Sequence, residues 1–243
     1  MNLSQGKNFL YSGKLQDFTI KITNNTIWNK YKINDGIIYY TGSIDLVEKL
    51  KNQYVGKKFS EKKIKKFLLH HNRNTSIIMK INDSFLMITS FSRDNQIFFR
   101  LKKKKLFISN NIKALENNDD KFDEKALFEF SLSGYSLGMK TLVSGVYSLG
   151  PASILYGTKK EFKILKYFCY HKTLPKNYER NAKEYLFRIN EIIDDSINYI
   201  IENSNDRTIF IPLSGGMDSR LIISKFHEKK YRNIKSFSYG LKN

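Results

Sequence analysis

The chain carries one segment whose residue types could bind a phosphate group, Pro212–Ser219, with the sequence PLSGGMDS. Two consecutive glycines, Gly215 and Gly216, let a backbone turn sharply and approach a ligand without a clash from a Cβ atom. A helix that begins after them would direct its first N–H groups and the positive end of its dipole at the same point. The hydroxyls of Ser214 and Ser219 would add hydrogen-bond donors on the two sides. The segment therefore predicts an anion-binding loop.

A carboxylate, Asp218, belongs to the same loop and would repel a phosphate unless a cation lay between them. Mg²⁺ is a cation that a carboxylate and phosphate oxygens bind together. The loop lacks the GxxxxGK[ST] sequence, so it is not a Walker loop with its lysine. The alternative is a glycine-rich turn that binds nothing, in which Ser219 caps the helix and Asp218 is favoured by the helix dipole.

The segments on either side of the loop predict a strand–helix–strand unit. Thr208–Leu213 is an apolar run of strand length without alternation, which is typical of a parallel strand buried on both faces. A helix follows to about Lys229, and a second strand covers Ile234–Tyr239, with a right-handed crossover by default. Before the loop, Asn181–Glu202 predicts one long helix. Its apolar stripe is formed by Leu186, Ile189, Ile193, Ile197 and Ile200.

The first 170 residues predict a different architecture, made of short strands, tight turns and two helices. Ser60–His71 predicts an amphipathic helix with a basic outer face, and Asp123–Leu132 a helix with Ala126, Leu127 and Phe130 facing inward. The runs that predict strands are Asp17–Ile22, Gly36–Thr41, Ser76–Ile81, Phe85–Phe91, Ile97–Leu101, Lys105–Ser109, Gly145–Leu149, Ser153–Gly157 and Phe162–Tyr167. The change of pattern predicts a domain boundary near residues 173–180.

The composition is that of a folded chain. Apolar residues make up 41% and aromatic residues 14% of 243 positions, which is enough for a core. The single cysteine, Cys169, excludes a disulfide framework and a cysteine-clustered metal site, and the four histidines have no HxH or HExxH spacing. No stretch approaches about 18 apolar residues, and Met1–Gly6 is too polar for a signal peptide. We therefore expect a cytoplasmic protein with no membrane span.

The positive charge of the chain could indicate a nucleic-acid partner. There are 42 Lys and Arg against 23 Asp and Glu, a net charge of +19, and such an excess is common in proteins that bind polyanions. Most of the excess is lysine, however, and the chain is also rich in Asn, Ile, Tyr and Phe, which share A/T-rich codons. The densest run, Lys102–Lys105, lies between two predicted strands and indicates a solvated hairpin tip. Nucleic-acid binding is therefore a less favoured, third function.

The loop sequence SGGMDS resembles the SGGxDS pyrophosphate loop of the N-type ATP pyrophosphatases, and Leu213–Leu221 is most similar to asparagine synthetases and their relatives. The resemblance implies that ATP is split between its α and β phosphates, that an acyl-adenylate forms, and that pyrophosphate lies in the loop with Mg²⁺ held by Asp218. Leu213 and Tyr239, at the ends of the two strands, would then flank the adenosine. Arg220 would either contact a phosphate or be a solvated helix residue.

Earlier segments resemble the glutaminase domain that precedes this loop in asparagine synthetases. Thr141–Pro151 and the two strands after it are similar to the closing segment of that domain, which is of the N-terminal-nucleophile type. Asp123–Ser133 is similar to the family's D-x-x-A-L-x-E-F helix, and Phe107–Asn110 resembles its L-x-x-S-[DE] strand. The resemblance is strong over residues 105–240 and weak over residues 1–100.

Two features depart from the family's pattern. The glutaminase nucleophile of the family is a cysteine at position 2, whereas this chain has Asn2 there. Cys169 lies in a predicted strand and is expected to be a packed structural thiol. The family's synthetase domain also continues for some hundreds of residues beyond the position where this sequence stops, so the chain has the appearance of a truncated one.

Together these features predict an α+β N-terminal-nucleophile-like domain with antiparallel sheets and helices over residues 1–172 and a linker at 173–180. Residues 181–243 would form the first βαβ unit of an α/β adenine-nucleotide (PP-loop) domain. The expected function is ATP-dependent amide formation from a small-molecule carboxylate and an amine, with ATP and Mg²⁺ and without glutaminase activity. A downstream chain would complete the nucleotide domain. The alternative is a non-catalytic interaction module, which Asn2 and the early stop favour.

Overall fold

The computed structural model describes residues 11–23, 27–54, 60–71, 74–169 and 181–240. The chain divides into two compact units, Met1–Thr173 and Leu174–Asn243. Asn2 and the linker predicted at residues 173–180 lie outside the described residues, so these two predictions stay untested. Across the helices that are described, none is long and apolar enough to cross a membrane.

The first unit has an α+β architecture with mainly antiparallel sheets, as predicted. Its strands are β1 (Tyr11–Lys14), β2 (Asp17–Lys21), β3 (Asn29–Ile33), β4 (Gly36–Tyr40), β5 (Ile77–Ile81), β6 (Ser84–Ile88), β7 (Phe98–Lys102), β8 (Lys105–Ser109), β9 (Val146–Ser148), β10 (Ser153–Thr158) and β11 (Glu161–Lys166). A seven-stranded sheet has the order β1-β11-β10-β6-β5-β4-β3, and a four-stranded sheet has the order β2-β8-β7-β9. Only β2 and β8 pair in parallel among these strands.

Tight turns join the strands as the sequence predicts. Asn82 and Asp83 connect β5 to β6, and Lys103 and Lys104 connect β7 to β8. Lys103 and Lys104 both have positive φ, +49° and +59°, which is the backbone of the two-residue hairpin turns that match the twist of paired strands. Both lysines are exposed. The prediction that this lysine run is a solvated hairpin tip is therefore confirmed.

The core of the first unit lies on both faces of the seven-stranded sheet. Helices α1 (Ile44–Tyr54) and α2 (Glu61–His71) cover one face, where Leu50 and Leu68 pack against Ile38. The four-stranded sheet covers the other face, where Phe99 and Ile108 pack with residues of β6 and β10. The sequence did not predict α1, β1 or β3, because polar residues interrupt the apolar pattern of each.

The buried face of the third helix differs from the prediction. Helix α3 (Glu124–Ser133) begins after Asp123, whose carboxylate accepts a hydrogen bond from the backbone N–H of Ala126 at 2.9 Å. Ala126 is buried, but Leu127 and Phe130 are 45% and 44% exposed, so their predicted inward orientation is wrong. The physical reason is that α3 carries apolar side chains on several sides, and the periodicity therefore does not select one face.

The second unit consists of helix α4 (Ala182–Ser204), strand β12 (Ile209–Pro212), helix α5 (Met217–Glu228) and strand β13 (Ile234–Phe237). The two strands pair in parallel, with Ile209 opposite Ile234. Ile197 of α4, Ile211 of β12 and Phe226 of α5 form its buried cluster. A half-buried set surrounds them: Ile193, Ile201, Ile209, Ile223, Tyr231 and Ile234.

The prediction that Thr208–Leu213 is buried on both faces is wrong. Ile211 is 6% exposed, but its neighbour Phe210 is 64% exposed. Helices cover only the face that carries Ile211, and within the described residues no second layer covers the face of Phe210. For the same reason the predicted stripe of α4 is only partly buried: Ile197 is covered, whereas Leu186, Ile189 and Ile200 are exposed.

An ion pair made by a buried lysine joins the two helices of this unit. The Lys225 side chain is 8% exposed, and its ammonium lies 3.2 Å from Asp194 of α4 and 3.0 Å from Glu228 of its own helix. The hydrogen bond to Glu228, followed in size of effect by the one to Asp194, raises the pKa of Lys225 above its usual value. The lysine therefore stays charged and pairs α4 with α5.

Candidate functional site

Two hydrogen bonds to the end of β13 hold the start of the SGGMDS loop. The backbone N–H of Leu213 donates to the Phe237 carbonyl at 2.8 Å. The Ser238 hydroxyl donates to the Leu213 carbonyl at 2.7 Å. These bonds extend the parallel pairing of β12 and β13 by one residue, so the loop starts from a fixed backbone position at the carboxyl ends of both strands. This edge is where open α/β sheets place their ligands.

The two serine hydroxyls of the loop contact each other. The backbone N–H of Ser214 donates to Ser219 Oγ at 3.1 Å, and the two Oγ atoms are 3.1 Å apart. The backbone N–H of Gly216 donates to Ser214 Oγ at 3.2 Å. Ser219 therefore closes the loop from the first turn of α5 back to Ser214. Ser219 does not cap α5, because Gly216 is the N-cap residue of that helix.

The glycines leave open space beside the loop. A Cβ atom built on Gly215 would meet nothing within 4 Å, and one on Gly216 would meet only Ser214 Oγ, at 3.3 Å. Neither glycine has a positive φ. A larger residue than glycine would therefore cause no steric clash with the fold at position 215. The open space fits a ligand that approaches the backbone from outside the chain.

The first turn of α5 presents donors and one carboxylate to that space. The N-cap residue of α5 is Gly216, which has no side chain that could accept hydrogen bonds from the first N–H groups of the helix. Asp218 lies in this turn and is exposed, as is Arg220. Across the described ranges there is no group of three or more His, Cys, Asp or Glu side chains that could hold a metal ion. Asp218 therefore suits Mg²⁺ only in the manner in which one carboxylate and phosphate oxygens share the ion.

The two residues expected to flank adenosine lie at the same edge of the sheet. Leu213 follows β12 and is half-buried, and Tyr239 follows β13 and is 87% exposed. The ring centre of Tyr239 is 6.4 Å from that of Phe237. The sequence did not single out Phe237 or the loop-holding Ser238. A serine just after a strand is too common a signal to identify such a role.

Other polar groups in the first unit make structural contacts. The Arg100 guanidinium binds both oxygens of Asp120 at 2.5 Å and the Leu115 carbonyl at 2.9 Å. Hydrogen bonds from Arg100 lower the pKa of Asp120 to about 2. Tyr156 donates to Glu61, and burial together with this carboxylate raises the pKa of Tyr156. These pairs connect neighbouring elements.

The chain has a single cysteine. Cys169 is half-buried, at the end of the first unit's described residues. Its expected structural role stays a prediction.

No protein-family model and no curated protein matches this chain. One solved structure that does match is that of the allosteric regulatory enzyme of purine biosynthesis. It is 10% identical with a TM-score of 0.28, and the match covers 85% of this chain and 45% of the other. This chain therefore spans less than half the length of that one. A similarity at this level does not establish a shared fold.

Proposed function

We propose that this chain is part of an ATP-dependent, amide-forming ligase of the asparagine synthase type. In such a reaction ATP would activate a carboxylate as an acyl-adenylate with release of pyrophosphate, and an amine would displace AMP to form the amide. Ser214, Gly215, Gly216 and Ser219 would hold the pyrophosphate end of ATP. Asp218 would hold Mg²⁺ against the phosphate oxygens.

One observation carries the proposal. The SGGMDS loop leaves a parallel strand, enters a twelve-residue helix without a capping side chain, and has open space beside Gly215. The conformation and packing of the chain do not by themselves require the glycine at 215. A phosphate group in that space would accept hydrogen bonds from the N–H groups at the N-terminus of α5. The dipole of the helix would also favour its negative charge. Asp218 in the same turn then supports a cation-bridged anion.

The amine in the proposed reaction would not come from glutamine. Position 2 carries Asn2, whose side chain has no nucleophilic sulfur or hydroxyl. Free ammonia or an amino group of the substrate would take its place, as in the β-lactam synthetases, which are relatives of the asparagine synthetases.

Isothermal titration of ATP into the full chain, with and without Mg²⁺, tests the proposal. We expect the binding of ATP to depend on Mg²⁺. Asp218→Ala removes one charge-assisted contact, which typically contributes about 1.5–3 kcal/mol, so the affinity should fall by roughly one to two decades. Glu202→Ala is the control. Glu202 is also an exposed carboxylate of the second unit, but it precedes the amino end of β12, whereas the loop follows the carboxyl end of that strand. ATP binding that ignores Mg²⁺ and Asp218→Ala would contradict the proposal.

A non-catalytic interaction module is the second candidate, and exposed apolar side chains favour it. On α3, Phe128 and Leu132 are 64% and 73% exposed, which is unusual for a surface helix. The ATP titration separates the two functions: an interaction module would bind no nucleotide, whereas the proposed ligase would bind it through the loop.

A further inference from the structure

Helix α4 has more apolar surface than its own unit covers. Ile193, Ile197 and Ile201 pack into the buried cluster with β12 and α5. A second set of apolar residues on the same helix is exposed. Its members are Leu186 at 68%, Ile189 at 52%, Ile192 at 64% and Ile200 at 41%. A helix that is apolar on two sides is typical of one that packs against two neighbours.

Ile189 and Ile192 of this set, together with three other exposed residues of α4, follow the spacing of a coiled-coil seam. Tyr185, Ile189, Ile192, Ser196 and Tyr199 are separated by four, three, four and three positions. This alternation places them on one narrow stripe, which we call the α4 seam. Leu186, Ile193 and Ile200 flank one side of the seam, and Arg188, Asp195 and Glu202 flank the other. An apolar seam with charges along one flank is the pattern of a helix that pairs with another helix.

The charges of this flank define what the seam can pair with. Arg188 and Asp195 occupy the same flanking position, seven residues apart, and have opposite charges. If two copies of α4 cross antiparallel about a point between Ile189 and Ile192, Arg188 of one copy faces Asp195 of the other, and the same pair forms twice. In a parallel pair, Arg188 would face the apolar position of Ile193 instead. Charge complementarity therefore favours an antiparallel second copy.

The surface next to Asp195 suits an incoming guanidinium. A shallow depression on α4 contains three carboxylates, from Glu191, Asp194 and Asp195, together with Arg188 and Ile192. Arg188 binds Glu184 of its own helix at 2.6 Å. A guanidinium has five N–H donors, so this bond leaves donors for a second carboxylate.

We propose that the α4 seam is a self-association surface through which two copies of this chain pair antiparallel. Each exposed aliphatic side chain offers on the order of 100 Å², so one helix would bury about 400 Å² of apolar surface. A standard stable interface buries about 800 Å² per partner, including polar surface. The apolar area falls short of that standard, so the proposed dimer is a weak one. This inference is independent of the nucleotide proposal.

Sedimentation equilibrium of the full chain, from about 1 to about 500 µM, measures the dimer directly. Ile192→Glu places a charge in the seam and should leave the chain monomeric over this range. Phe187→Glu is the matched control, because Phe187 and Ile192 are both 64% exposed on α4 but Phe187 lies off the seam. The control variant should dimerise like the unchanged chain. Circular dichroism checks that both variants keep their helices.

A charge exchange tests the antiparallel register without disturbing the apolar residues. Arg188→Asp or Asp195→Arg alone should weaken the dimer about tenfold, since each creates two like-charge contacts. The double variant, Arg188→Asp with Asp195→Arg, restores opposite charges and should return the affinity to within about threefold of the unchanged chain. A chain that is monomeric throughout, or a double variant as weak as the singles, would overturn the proposal. Equal effects of Ile192→Glu and Phe187→Glu would overturn it as well.

Discussion

Replacing Gly215 by alanine separates the role of the loop in ligand binding from its role in folding. A Cβ atom at this position meets nothing within 4 Å, and the residue does not have a positive φ. Alanine at such a site restricts the unfolded chain, which typically raises the free energy of unfolding by about 0.4–1 kcal/mol. We therefore expect Gly215→Ala to leave stability unchanged or slightly increased.

Ligand binding should respond in the opposite direction. The methyl group of Gly215→Ala would occupy the space where a phosphate approaches the backbone, so the affinity for inorganic pyrophosphate in the presence of Mg²⁺ should fall at least about tenfold. Chemical denaturation measures the stability and isothermal titration measures the affinity. Gly240→Ala is the matched control, because its Cβ also meets nothing within 4 Å. This control should change neither quantity by a comparable amount.

Gly157→Ala calibrates the stability assay. A Cβ atom at position 157 would lie 2.2 Å from the Glu161 carbonyl, so we expect a loss of at least about 1–3 kcal/mol. If Gly215→Ala destabilised the chain as much as this variant, the glycine would have a folding role. If it bound pyrophosphate as well as the unchanged chain, the open space would not be a ligand site. Either result would refute the reasoning.

Three further predictions concern other parts of the chain. The pKa of Asp120 is lowered to about 2 by Arg100, so the pair should stabilise the fold above the unfolded pKa of 3.8 and lose that contribution as pH falls towards 2. Since both side chains are slightly exposed, Asp120→Asn should cost about 1–2 kcal/mol at pH 7 and little at pH 2 in denaturation experiments. The chain should release no glutamate from glutamine, and glutamate release that is abolished in the Cys169→Ala variant would contradict this. Glutamate release by the Asn2→Cys variant would indicate that a glutamine pocket persists. Among its described residues, the buried cluster of the second unit centres on only Ile197, Ile211 and Phe226. Limited proteolysis should therefore cut first between about residues 173 and 215 and leave a resistant N-terminal fragment, and uniform protection through Tyr239 would be the contrary result.

The sequence predicted the elements of the fold where local signals are strong. The hairpin at Lys103 and Lys104 could be predicted because β-branched and aromatic runs flank a short polar turn, and that pattern is local. Helix α1 was missed because its buried residues, Leu46, Val47 and Leu50, form one short stripe among polar residues. The faces of α3 and β12 were predicted wrongly. Burial there depends on which neighbouring layers exist, and a single segment carries no information about its neighbours.

The candidate site shows the same limit. The residue types and the strand–loop–helix order of residues 208–229 could be read directly from the sequence. The hydrogen bonds between Ser214 and Ser219, and the one from Ser238 to the Leu213 carbonyl, could not. They depend on distances between side chains of separate elements. Nor could the open space around a Cβ at Gly215 be predicted, because only the backbone path shows it.

The most direct test of the central claim is the titration of inorganic pyrophosphate into the full chain with and without Mg²⁺. Pyrophosphate needs only the loop, so its binding does not depend on a complete adenosine cleft. We predict saturable binding with Mg²⁺, at least about tenfold weaker binding when Mg²⁺ is chelated, and a similar loss in Asp218→Asn. No binding, or binding that is equally tight without Mg²⁺ and in Asp218→Asn, would contradict the assignment of Ser214–Ser219 as a magnesium-dependent pyrophosphate loop.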